Sequence, residues 1–81
     1  MTDSEKFLKL PSLTLNKENE QFEKSNTIDD YNPTLYYSKG KVFVSWVRSN
    51  DNSTLIEFSE RSVKKVMELA YNYCAENNLL K

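Results

Sequence analysis

TLYYSKGKVFVSWV (residues 34–47) decides the fold of this chain. Aromatic and β-branched residues crowd both halves, and the only glycine, Gly40, stands beside Lys39 where a two-residue hairpin loop needs positive φ. With Lys39-Gly40 as the loop, Tyr37 pairs with Val42 and Leu35 with Val44. Leu35, Tyr37, Val42, Val44 and Trp46 then share one face, the better core, and Tyr36, Lys41, Phe43, Ser45 and Val47 share the other.

Downstream, Ser49–Ser53 is a polar loop, and residues 54–58 (TLIEF) read as a third strand with Ile56 and Phe58 on one face and Leu55 and Glu57 on the other. Ser59 is positioned to cap a helix from about Glu60 to Glu76, in which Val63, Val66, Met67, Ala70, Tyr73 and Cys74 recur at three- and four-residue spacing. Burying its larger aliphatic side chains contributes on the order of 2 kcal/mol each before ordering entropy is subtracted, so the helix is essential to the fold. The expected architecture is a single α+β domain over residues 1–81. Its βββα core at 34–78 is a three-stranded antiparallel meander with a C-terminal amphipathic helix packed on one face.

Upstream, the sequence changes character. Phe7, Leu8, Leu10, Leu13 and Leu15 are apolar enough to dock, but Pro11 interrupts any helix or central strand, so the segment reads as an extended, partly ordered arm. Residues 16–32 are polar. Lys17–Lys24 is compatible with a short helix capped by Asn16, and Asp29–Pro33 has turn chemistry throughout.

Eighty-one residues make one small, marginally stable domain. The formal net charge is −1, unevenly placed: residues 1–33 hold four lysines against seven acids, a net of −3, and residues 34–81 hold seven bases against five acids, a net of +2. Neither half has the concentrated basic surface that draws nucleic acid by bulk charge. The single cysteine rules out an internal disulfide, and the first ten residues lack an apolar run for a signal peptide or membrane span. A cytoplasmic location is expected.

Histidine is absent, which removes Ser-His-Asp and Cys-His nucleophile activation and the commonest metal ligand. Cys74 lies in the apolar helical stripe and reads as a small core hydrophobe. Glu18, Glu20, Glu23, Asp29 and Asp30 match no calcium-loop spacing and read as a solvated face or a strip for a basic groove. No catalytic residue, cofactor or metal site is expected, and the chain is not read as an enzyme.

The informative surface is the second sheet face. One helix covers only one side of a three-stranded sheet, so a side bearing Tyr36 and Phe43, with Val47 and Leu55 nearby and Lys41 and Glu57 at its margins, must be covered by the arm, buried in a homodimer, or offered to a ligand. The expected function is noncatalytic protein binding by a small regulator or inhibitor that occupies a partner's surface. Tyr36, Phe43 and Val47 would be the anchors, and Lys41 and Glu57 would set orientation. The Lys- and Asn-rich composition, compatible with an AT-rich genome, suggests a phage or mobile-element source.

The alternative is nucleic-acid binding through Arg61, Lys64 and Lys65 at the helix start, joined by Lys39, Lys41 and Arg48. Ser62-Val63-Lys64-Lys65-Val66 is similar to the start of the last helix of double-stranded RNA-binding domains, where paired lysines contact phosphates. The glycine-rich approach, the small alanines after the lysines and a first helix of that family are missing. RNA-recognition sheets that stack bases on exposed rings need two βαβ units, which a simple meander does not supply.

Overall fold

A computed structural model describes residues Met1–Lys81. In chain order the elements are α1 (Asp3–Leu8), β1 (Leu13–Asn16), β2 (Gln21–Lys24), β3 (Asn32–Ser38), β4 (Lys41–Val47), β5 (Thr54–Glu60) and α2 (Val63–Glu76). β3, β4 and β5 form an antiparallel sheet in that order, and β1 and β2 form a separate hairpin. The α+β architecture with its three-stranded meander and C-terminal helix is therefore present.

The β3–β4 register is the one expected from the glycine: Tyr37 faces Val42 and Leu35 faces Val44. Lys39 and Gly40 both take positive φ, 50° and 78°, as a type I′ turn requires. β5 runs longer than its apolar pattern, pairing Glu60 with Val42. The helix consequently starts later and Ser62, not Ser59, caps it, accepting a hydrogen bond from the Lys65 amide at 3.2 Å. Between Trp46 and Val47 the ladder shifts. Leu55 is the extra residue at this bulge and packs against the core cluster instead of lying beside Tyr36 and Phe43.

The N-terminal third departs from the sequence-based expectation. Lys17–Lys24 is not a helix: Lys17–Glu20 is a turn and Gln21–Lys24 is strand β2, with Leu13 opposite Lys24 and Asn16 opposite Gln21. Asparagine chemistry decides it. Asn16 Oδ1 accepts from the Glu18 amide as an Asx turn, Asn19 Oδ1 takes the Gln21 amide that a helix would send to the Lys17 carbonyl, and Glu20 takes φ 56°. Nor are residues 1–33 simply an extended arm. Thr2 and Glu5 cap α1 reciprocally, and the Thr2 amide holds the Glu5 carboxyl below its usual pKa.

The core lies between one face of the sheet and α2. Val42, Val44 and Trp46 meet Val66, Met67, Ala70 and Cys74, and Leu10, Leu13 and Leu79 complete the same buried cluster. Trp46 is fully buried, and its indole Nε1 donates to the Pro11 carbonyl at 2.8 Å. Leu13 exchanges both backbone hydrogen bonds with Tyr31, at 2.8 and 3.1 Å. The N-terminal segment is thus built into the helix-side core. Burial pushes the Cys74 thiol up to about 11, which fits a core residue and not a nucleophile.

Candidate functional site

The placement of residues 10–13 leaves the other side of the sheet without a covering element. Alternation along the strands brings Tyr36 from β3, Lys41, Phe43, Ser45 and Val47 from β4, and Glu57 and Ser59 from β5 to this open face. Coverage by the arm, one of the three fates open to this face, does not occur, because Leu10, Pro11 and Leu13 pack on the opposite side against Trp46.

At the centre, Tyr36 and Phe43 sit directly opposite each other, with ring centroids 4.9 Å apart and planes 5° from parallel. Tyr36 is 38% exposed and Phe43 and Val47 are half-buried. Glu57 is not a marginal charge. Its Oε2 accepts from the Tyr36 hydroxyl at 3.1 Å and from the Ser45 hydroxyl at 3.0 Å, so the carboxylate is tied to the aromatic pair across β4. Ser45, which sequence reasoning assigned to this face without a role, is fully buried and supplies one of those two bonds. Its alternation with Phe43 and Val47 was the available signal.

Lys41 faces Ser38 at the hairpin end of the sheet, and Val47 faces Asn32 at the other end. Lys39, in the turn, is also at the hairpin end, and Arg61 follows Glu60, whose partner Val42 adjoins Lys41. Lys64 and Lys65 are exposed in the first turn of α2. Arg48 is separated from them: it lies beyond Val47, about 23 Å along β4 from Lys41 at the usual strand rise. There it pairs with Asp51 at 2.8 Å and lies 4.7 Å over the Tyr31 ring. With help from Ser53, this pairing holds the Asp51 carboxyl well below its usual range. The structure therefore does not join Arg48 to the bases around the helix start.

A second apolar surface was not anticipated. Leu35 and Tyr37 project on the helix side, as their register requires, but α2 packs over β4 and β5 and leaves them 39% and 70% exposed. Leu35, Leu8, Phe7, Val63 and Met67 line a groove of about 290 Å³ between α1, α2 and the β3 edge. An α-helix about 10 Å wide spans roughly two strands at 4.8 Å spacing, so a third strand is left at the margin.

No group of three His, Cys, Asp or Glu side chains converges in a way that could hold a metal ion, and no helix is long and apolar enough to cross a membrane. The site belongs to a small α+β fold that presents an ordered aromatic and carboxylate cluster on one uncovered sheet face. Comparison with protein-family models, curated proteins and solved structures returns no match.

Proposed function

We propose that this chain is a noncatalytic protein-binding module, a small regulator or inhibitor that acts by occupying a partner's surface with its open sheet face. One observation carries the reading: a stacked Tyr36–Phe43 pair, locked to Glu57, lies on a face that neither the helices nor the N-terminal segment cover. Rigid aromatics lose little conformational entropy on contact and dominate interface energies, while Lys41 and Val47 extend the patch toward the two ends of β4.

The test is capture of partners from the native host lysate by the tagged chain and by a Tyr36→Ala/Phe43→Ala variant whose fold is verified by circular dichroism. A stoichiometric protein retained by the parent after nuclease treatment and absent from the variant supports the reading. Equal retention by both excludes the face.

A second reading is motivated by Arg61, Lys64 and Lys65, which cluster at the start of α2 and form no ion pair, the single ion pair in the molecule being Arg48–Asp51. Phosphate binding there predicts an affinity that falls linearly with salt on logarithmic axes, at about 0.7–0.9 per phosphate neutralised. Salt-insensitive binding rejects this alternative.

A further inference from the structure

Glu57 narrows the chemistry that the open face accepts, and the inference rests on the protein-binding role proposed for that face. Both hydroxyl donors to this carboxylate reach the same oxygen, Oε2. Oε1 carries no hydrogen bond, and no lysine or arginine of the chain pairs with Glu57, because the one ion pair is Arg48–Asp51. The donors are themselves held in place, Ser45 by complete burial and Tyr36 by stacking on Phe43. The result is a negative charge with a fixed orientation, a free acceptor and an adjacent aromatic ring.

That combination complements a planar cation. A guanidinium can pair with a carboxylate through one N–H edge and lie against an aromatic ring with its face, whereas an ammonium offers the charge without the planar match. A neutral or acidic side chain over Glu57 would gain neither interaction, and an acidic one would be repelled. Position along the face adds a constraint. Lys41 lies beyond Phe43 at the hairpin end, and Arg61 lies at that same end, so a second positive charge is disfavoured there and is directed to the Glu57 side of the aromatic pair.

We infer that the open face recognises a basic segment of a partner protein by seating an arginine side chain against Tyr36 with its guanidinium on Glu57. Specificity then comes from Glu57, and contact area comes from Tyr36 and Phe43.

The probe is a displayed random-peptide library selected on the immobilised full chain, with each binder measured against the parent, Tyr36→Ala/Phe43→Ala and Glu57→Gln. Gln retains an acceptor for both hydroxyls, so Glu57→Gln removes the charge with little cost to the fold. If the double variant unfolds, Tyr36→Ala replaces it.

Binders that need Tyr36 and Phe43 are expected to carry an arginine. Their affinity should fall about tenfold or more on Glu57→Gln, the scale of one charge-assisted pair, and fall comparably when the arginine becomes alanine. Binders that depend on the aromatic pair but lack a basic residue, or bind Glu57→Gln as well as the parent, overturn the cation assignment and leave the face as a binding surface. A selection that yields no binder dependent on the aromatic pair overturns both.

Discussion

The two faces of the central sheet are built from the same three strands but do opposite work. On the helix side, Val42, Val44 and Trp46 are buried under α2 and the N-terminal segment. On the open side, Tyr36, Phe43 and Glu57 are held by a ring stack and by hydroxyl bonds from Tyr36 and the buried Ser45 to the Glu57 carboxylate. One face is ordered by burial from outside, the other by contacts within its own plane. Order within an uncovered face has no need of a lid, and binding through it as proposed would cost little rearrangement.

The contrast is tested most severely by Trp46→Ala. Removing a fully buried indole that also satisfies the Pro11 carbonyl is expected to cost about 3–5 kcal/mol, enough to unfold a domain of this size. Urea denaturation followed by circular dichroism should show a native baseline lost or nearly lost. A shift under about 1 kcal/mol would mean that the helix side is not the core.

Leu13→Ala comes next, at about 2–4 kcal/mol by the same measurement. Its fully buried side chain belongs to the core cluster, so a negligible effect would mean that the N-terminal segment is not built into that core.

By comparison, Tyr36→Ala/Phe43→Ala removes an aromatic pair from a partly exposed face and is expected to cost only about 1–2 kcal/mol, with the fold retained. A loss equal to that of Trp46→Ala would erase the distinction between the faces.

A pH titration compared between the parent and Cys74→Ala probes the packed side. Burial raises the folded-state pKa of the Cys74 thiol from its ordinary value near 9 to about 11. Because the neutral thiol is favoured in the core, its contribution is complete below the unfolded pKa and is lost as pH rises from about 9 toward 11. Denaturation midpoints should decline over that window. Cys74→Ala should remove that part of the decline, and a slope unchanged by the substitution would contradict the burial.

The smallest expected effect concerns the loop at the far end of the sheet. Asp51 is held low by Arg48 and Ser53, so the loop's contribution is present above the ordinary carboxylate pKa and fades only as pH falls toward the depressed folded value. Carboxyl chemical shifts followed by NMR should show Asp51 titrating below the usual aspartate range, and Arg48→Ala should move it only part of the way back, because both Ser53 hydrogen bonds remain.

Legibility in the sequence followed the number of local signals that agreed. Residues 34–47 had alternation, β-branched and aromatic content and one glycine pointing to the same register, and the structure has that register. Residues 1–33 had competing signals. Helix-favouring Lys and Glu at 17–24 lost to the Asn19 side chain and the positive φ of Glu20, and the Thr2–Glu5 capping box that starts α1 is readable in the sequence but opens a helix of only six residues. For the candidate site, alternation placed Tyr36, Phe43 and Glu57 together. The exposure of Leu35 and Tyr37 was not accessible that way, because it depends on which two strands one helix covers, a tertiary outcome with no local signature.

The bond from Trp46 Nε1 to the Pro11 carbonyl also bears on the order of assembly. β3 and β4 meet through a two-residue turn, so their hairpin can close within microseconds. Docking residues 10–13 onto Trp46 instead requires contacts between positions far apart in the chain, with the loop-closure entropy that this entails. The β3–β4 hairpin is therefore expected to form first and the N-terminal segment to dock late. As the only tryptophan in the chain, Trp46 makes that late step visible as a change in intrinsic fluorescence during refolding.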